Sequence, residues 1–182
     1  MKIIFLDRDG VINRFPGMGA YVTVWKRFRF LPKVKRAIAL LTKKGYEIYV
    51  VSNQGGVSRG LMTLEDLNQM TSKMLALLRK DGGNINEVLY CIHQTSDHCG
   101  CKKPKTKLFK KALRGRKVNL KTVFFVGDSR EDMEAGWNLG CRTLLVLCGR
   151  TRRADIGGFP AKPDVVKKNL WEAARWITQK KS

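Results

Sequence analysis

Acidic residues are scarce: Asp plus Glu number 15 against 36 Lys plus Arg, a formal charge of +21 over 182 residues. That balance suits phosphorylated or polyanionic partners without choosing among nucleic acid, anionic surfaces and small phosphates. Long hydrophobic runs are missing too. No stretch approaches the ~20 apolar residues of a membrane helix, so no membrane is expected among the partners. The opening run Met1–Leu6 meets Asp7, Arg8 and Asp9 before reaching the roughly 7–15 apolar residues a signal peptide needs. There is no internal repeat. Cysteine is present in odd number, five, and Cys91, Cys99 and Cys101 fall with His93 inside eleven residues. This speaks against a disulfide framework and for metal binding in a reducing compartment, so a cytoplasmic location is expected.

What is present is an alternation of apolar runs and helix-period segments. Lys2–Leu6, Tyr46–Val51, Val88–Ile92, Thr122–Val126, Arg142–Leu147 and a weak Asp164–Val166 read as strands. Leu31–Lys44, a helix capped by Thr63 and running to Lys80, Lys105–Leu113, Glu131–Leu139 and a last helix capped by Asn169 carry apolar stripes. Strands alternating with helices predict an α/β fold, a Rossmann-like doubly wound parallel sheet with helices on both faces. One domain over 1–182 suffices for this length. Cys141 and Cys148 are expected to be ordinary buried thiols.

In open parallel sheets the site lies beyond the carboxyl ends of the strands. There the chain places Asp7-Arg8-Asp9-Gly10, Ser52-Asn53-Gln54 and Gly127-Asp128-Ser129, with Asp132 one helical turn on and the cationic Lys102-Lys103 nearby. Residues two apart in extended chain point alike, so Asp7 and Asp9 are expected to face one substrate while Arg8 points elsewhere. The set suits phosphoryl transfer. A carboxylate can attack phosphorus, and a hard cation such as Mg²⁺ between Asp7 and Asp128 would remove their repulsion for phosphate.

Cys91-x-His93 and Cys99-x-Cys101 flank one short loop. Three thiolates and one imidazole make a full tetrahedral set for a structural Zn²⁺, with His98 a competitor for the His93 position. The loop leads straight into Lys102 and Lys103, so a bound metal would also fix those cations.

Phe5-Leu6-Asp7-Arg8-Asp9-Gly10-Val11-Ile12-Asn13, Ser52, Lys103 and Gly127-Asp128 with Asp132 resemble the motifs of the haloacid dehalogenase superfamily of phosphatases, in the same order. The resemblance implies that Asp7 is the nucleophile and Asp9 the acid and then the base. It implies that Ser52 and Lys103 stabilise the phosphoryl group. It also implies that Mg²⁺ is held by Asp7, the Asp9 backbone carbonyl and Asp128, with Asp132 orienting its neighbours. The short stretch between Asp9 and Ser52 leaves no room for a large cap domain.

The zinc loop narrows the resemblance to heptose bisphosphate phosphatases and histidinol-phosphate phosphatases. Tyr21-Val22, Trp25, Phe28 and the run Ser52-Asn53-Gln54 to Ser58-Arg59-Gly60 look like the former, which implies removal of the 7-phosphate of a heptose 1,7-bisphosphate. Carried over, Gly19, Ala20, Tyr21, Asn53, Gln54, Arg59, Lys102 and Ser129 become substrate-side candidates. Two departures stand out. Lys102 takes the place of the Arg usual there, and a point charge cannot make the bidentate phosphate contact. The five-residue gap between His93 and Cys99 is closer to the histidinol-phosphate relatives. A small phosphorylated sugar is thus the expected partner, and a monomer the expected state. The alternatives are histidinol phosphate, a nucleic-acid 3′-phosphate, and a non-catalytic, zinc-stapled scaffold that binds nucleic acid.

Overall fold

The structure, a computed structural model, describes residues 1–179; residues 180–182 of the expected single domain lie outside the described residues. Six parallel strands form one sheet: β1 (Ile3–Leu6), β2 (Glu47–Asn53), β3 (Glu87–Cys91), β4 (Phe124–Gly127), β5 (Arg142–Val146) and β6 (Val165–Lys167), in the spatial order β3-β2-β1-β4-β5-β6. Among the described residues five helices accompany them: α1 (Val34–Lys43), α2 (Leu64–Lys80), α3 (Lys107–Leu113), α4 (Arg130–Leu139) and α5 (Leu170–Gln179).

Side-chain alternation along the strands builds two cores. Ile4 and Leu6 of β1 pack with Ile48, Val50, Val126 and Leu144 under α1, α2 and α5, through Ile38, Leu41, Met74 and Ala173. Ile3 and Phe5 face the opposite way, onto Val51, Leu89 and Phe125 under α3 and α4, through Phe109, Ala112 and Ala135. Both faces are covered, which is why these strands read as unbroken apolar runs. No helix among the described residues is long and apolar enough to cross a membrane.

Local chemistry sets the boundaries. The Thr63 hydroxyl accepts from the Asp66 backbone and the Asp66 carboxylate accepts from the Thr63 backbone, so the expected Thr63 cap of α2 is a capping box. The first helix starts at Val34 instead of Leu31, because Lys33 takes a left-handed conformation, φ 62°, just before it. Strand β2 runs two residues further than the apolar pattern indicates: Ser52 and Asn53 stay in register with Tyr90 and Cys91. It therefore delivers both side chains rigidly to the sheet edge.

Between β1 and β2 lie only a loop, a 3-10 turn (Trp25–Arg27) and α1, so no large cap covers that edge. The loop is anchored at its middle and end. Trp25 stacks on Phe28 at 5.0 Å and Phe28 meets Phe30 edge-on at 5.1 Å, with Val22 and Phe28 buried in the core. These aromatics are packing residues.

Candidate active site

The order of the strands reverses direction at β1, whose neighbours are β2 and β4. Ligands bind at such switch points because flanking loops diverge there and leave a crevice. The Asp7 amide donates to the Val126 carbonyl at 2.9 Å, tying the end of β1 to β4. Asp7, Asp128 and Asp132 meet there, all buried, with one carboxylate oxygen from each within 4.8 Å of the others. Lys103 Nζ reaches into the cluster, donating to Asp7 Oδ1 at 2.7 Å and to Asp132 Oδ1 at 2.6 Å.

Three acids surround one ammonium, and the electrostatics follow. Burial pushes the Asp7 carboxyl up from 3.8 to about 6; Lys103 opposes the rise while Asp132 and Asp9 add to it. Asp128 is pushed well above the ordinary carboxylate range, first by burial and then by the charges of Asp132 and Asp7. Lys103 moves upward despite its burial, held charged by Asp132 and Asp7. A dry, net-negative set of hard oxygens fits a hard divalent cation, which would relieve the repulsion. Glycines make the closeness possible. A Cβ at Gly10, where φ is +87°, would lie 1.9 Å from Asp128 Oδ2, and one at Gly149 would lie 2.0 Å from it.

Asp9 is built differently. Burial would raise its pKa, but the Arg8 guanidinium, Asn13 and Gln54 hold it below the ordinary carboxylate value. Arg8 Nη2 lies 3.0 Å from Asp9 Oδ2, Asn13 Nδ2 2.7 Å from Oδ1, and Gln54 Nε2 2.7 Å from Oδ2. Arg8, 1% exposed, also donates to Gln54 Oε1 at 2.9 Å. Two expectations change here. Arg8, expected to point away from Asp7 and Asp9, instead braces the Asp9 carboxylate. Gln54 is fully buried, hydrogen-bonded to Asp9 and Ser52, and does not line the pocket.

Above the acids opens a pocket of about 280 Å³ lined by Asp7, Asp9, Ser52, Asn53, Lys102, Lys103, Asp128, Ser129, Gly19, Ala20 and Tyr21. Most of the candidates thus converge. Asn53 is also tied to Lys103: its Oδ1 accepts the Lys103 amide at 3.0 Å and its Nδ2 donates to the Lys103 carbonyl at 3.3 Å. Ser129 turns its hydroxyl to Asp132 Oδ2 at 2.6 Å and caps α4, so the hydroxyl is already engaged. Arg59 does not line the pocket; its guanidinium lies 5.7 Å from the Tyr21 ring centre. Phe15, Pro16, Gly17, Met18, Glu131 and Arg150 line it without having been singled out as site residues. For Arg150 the signal is present in the sequence, since it follows the carboxyl end of β5, the same rule that finds Asp7 and Asp128.

The Cys-rich loop follows β3. Cys91 Sγ lies 3.5 Å from Cys99 Sγ and 3.0 Å from Cys101 Sγ, and His93 Nδ1 lies 3.2 Å from Cys101 Sγ. All four ligand atoms fall within 4.8 Å of one another, as four ligands around one ion with metal–ligand bonds of ~2.0–2.3 Å would. His98 is exposed and outside the cluster. Burial, with the Cys101 thiol beside it, pushes Cys91 up. Burial acts the same way on Cys99, but the backbone amides of Cys101 and Lys102 win and bring it to about 6.

A parallel sheet of this order, with acids after β1 and after β4 clustered with a lysine, defines a haloacid dehalogenase-like phosphatase. Residues 100–173 match the HAD-hydrolase-like family model. Curated relatives include the D-glycero-beta-D-manno-heptose-1,7-bisphosphate 7-phosphatases of Pseudomonas putida, 36% identical over 88% of this chain and 90% of the relative, and of Helicobacter pylori J99, 34% identical over 97% of each. The fold superposes on the D,D-heptose 1,7-bisphosphate phosphatase of B. bronchiseptica, solved with magnesium and phosphate, at a TM-score of 0.90 and 34% identity, covering 98% of this chain and 99% of that one. The chain belongs to the family of the D-glycero-D-manno-heptose-1,7-bisphosphate 7-phosphatases.

Proposed function

We propose that this chain hydrolyses the 7-phosphate of D-glycero-D-manno-heptose 1,7-bisphosphate in the cytoplasm, as a monomer, through an aspartyl-phosphate on Asp7. The observation that carries the reading is the Asp7–Lys103 ion pair at the floor of a pocket of about 280 Å³, in a chain whose relatives bear that enzyme's name over nearly their whole length.

Asp7 attacks phosphorus, and the bond from phosphorus to the sugar oxygen breaks. Asp9 is ionised in the free site, and a dianionic phosphate entering beside it raises its pKa until it takes a proton. Asp9 then delivers that proton to the departing sugar oxygen. In the second step Asp9 accepts a proton from the water that attacks the phosphorus of the aspartyl-phosphate, and Asp7 is released as carboxylate. Ser52 and Lys103 hold the transferring oxygens, and Asn53 fixes the Lys103 backbone. Asp7, Asp128 and the Asp9 backbone carbonyl would hold Mg²⁺, which when bound neutralises charge on the phosphoryl oxygens. Cys91, His93, Cys99 and Cys101 would hold a structural Zn²⁺ that keeps the loop before Lys102 and Lys103 in place.

The test is kcat/KM with Mg²⁺ for the heptose bisphosphate, histidinol phosphate and a 3′-phosphorylated oligonucleotide. A preference for the heptose of about 100-fold, or about 2.7 kcal/mol, is expected. Asp7→Asn should abolish turnover of all three while circular dichroism and Tm stay near wild type. Preference for another substrate, or turnover by Asp7→Asn, would overturn the reading.

A further inference from the structure

We infer that Arg150 is a specificity-determining residue that reads the second phosphate of a bisphosphorylated substrate, sharing that task with Lys102. The inference rests on the bisphosphatase reading above. Three cationic residues line the pocket among the described residues, Lys102, Lys103 and Arg150. Lys103 is committed at the floor, 5% exposed and shared between Asp7 and Asp132. Its neighbour Lys102 donates to the neutral Thr95 hydroxyl at 2.6 Å and keeps an uncompensated charge. Lysine, however, binds phosphate as a point charge and fixes no orientation.

Arg150 supplies the missing geometry. Its backbone amide donates to Asp128 Oδ2 at 2.6 Å, next to Gly149, where any Cβ would collide with the same carboxylate. The root of the side chain is therefore anchored to the acid cluster. Its guanidinium stands at the rim, where Nη1 meets Glu131 Oε2 at 3.1 Å with both side chains a little over one-third exposed. The remaining donors of the fork have no protein partner among the described residues. An exposed pair of this kind contributes little, whereas a guanidinium forked onto a phosphate makes two charge-assisted bonds. Exchange of Glu131 for a phosphate is therefore favourable. With the reacting phosphoryl group at the floor beside Asp7 and Lys103, Arg150 and Lys102 are the cationic residues of the pocket lining left for a second phosphate. Glu131, which also lines the pocket, is the group it displaces and the group that repels it.

Two substitutions of opposite sign test this. Each leaves the Arg150 backbone amide on Asp128 untouched. The readout is the Ki of a sugar bisphosphate and of its monophosphate as competitors of p-nitrophenyl phosphate hydrolysis, together with KM and kcat for heptose 1,7-bisphosphate. Arg150→Ala should weaken the bisphosphate at least tenfold more than the monophosphate, with the change in KM and not kcat, and Arg150→Lys should recover part of it. Glu131→Gln should tighten the bisphosphate two- to fivefold and leave the monophosphate unmoved. A purely structural ion pair would instead make both variants worse, for both ligands alike, and that result would overturn the inference. Should wild type fail to turn over the heptose while the Ki pattern holds, the substrate reading fails and the role of Arg150 stands.

Discussion

Asp132 reaches Lys103 with one carboxylate oxygen and the start of its own helix with the other: Oδ1 lies 2.6 Å from Lys103 Nζ, and Oδ2 accepts from the Ser129 hydroxyl at 2.6 Å and from the amides of Asp128 and Ser129 at 3.1 Å. One buried side chain thus couples the position of the phosphate-facing lysine to the turn that carries Asp128. Helix capping and the candidate chemistry are the same set of bonds.

Asp132→Asn and Asp132→Ala should separate these roles. The amide keeps the size of the side chain and an acceptor for α4 but removes the charge opposite Lys103. It is expected to lower kcat ten- to a hundredfold with a smaller change in KM and in Tm. Alanine also removes the cap, costing a further 0.5–2 kcal/mol or so of stability. Steady-state kinetics beside thermal denaturation check both; equal losses of Tm in the two variants would mean that Asp132 is a cap alone.

Glycine 149 should be as sensitive as any acid. It is not in a left-handed conformation, so alanine there is a steric probe and not a backbone one, with the new Cβ 2.0 Å from Asp128 Oδ2. Because the Asp128 carboxylate also accepts the Arg150 amide and lies close to Gly10, the new methyl must shift it within the acid cluster. Gly149→Ala should therefore weaken Mg²⁺ binding at least tenfold, seen by titration calorimetry, while Gly157→Ala, which meets nothing within 4 Å, should not.

The sheet, its helices and the three polar strand ends, two bearing acids and one Ser52 and Asn53, are legible in the sequence because these apolar runs stop abruptly at polar residues, and a parallel sheet collects those stops at one edge. Facing within the loops is not legible. Gln54 follows Ser52 and Asn53 on β2, and nothing local says that it turns inward to Asp9. Alternation in an extended chain says nothing of how far an arginine side chain reaches, and here it bonds Asp9 and Gln54. Ser129 looks like a polar group at the site edge until Asp132 claims its hydroxyl. Arg150 also follows a strand end, but β5 ends without an acid or hydroxyl that would rank it with Asp7 and Asp128.

The Cys91–His93–Cys99–Cys101 set should bind one zinc per chain, measured by plasma emission spectrometry of protein purified without added metal. Cys99 is far enough along the loop from Lys103 to test coupling: Cys99→Ser should lose the zinc, lower Tm, and lower kcat at least tenfold at saturating Mg²⁺. The route is short, since Lys105 Nζ donates to the Cys99 carbonyl at 2.6 Å and Lys102 to Thr95 within the same loop. Full Mg²⁺-dependent activity in a zinc-free variant would show that the loop does not govern the lysines.

Acidity and magnesium should oppose one another at the floor of the site. The Asp7 pKa is raised by burial from 3.8 to about 6, and Asp128 moves the same way. The folded metal-free protein therefore binds more protons than the unfolded chain between about pH 4 and 6, so these groups make it less stable as pH rises through that window. Asp9, lowered instead, contributes stability above its unfolded value and loses it only as pH falls further. Mg²⁺ must displace the protons held by Asp7 and Asp128, and binding releases them. The rise in Tm on adding Mg²⁺ should accordingly be several degrees larger at pH 7.5 than at pH 5.5, where protonation already relieves the repulsion. Thermal denaturation at both pH values, with and without 5–10 mM or so of Mg²⁺, measures it. A larger shift at the lower pH would mean that these carboxylates are not the groups the metal neutralises.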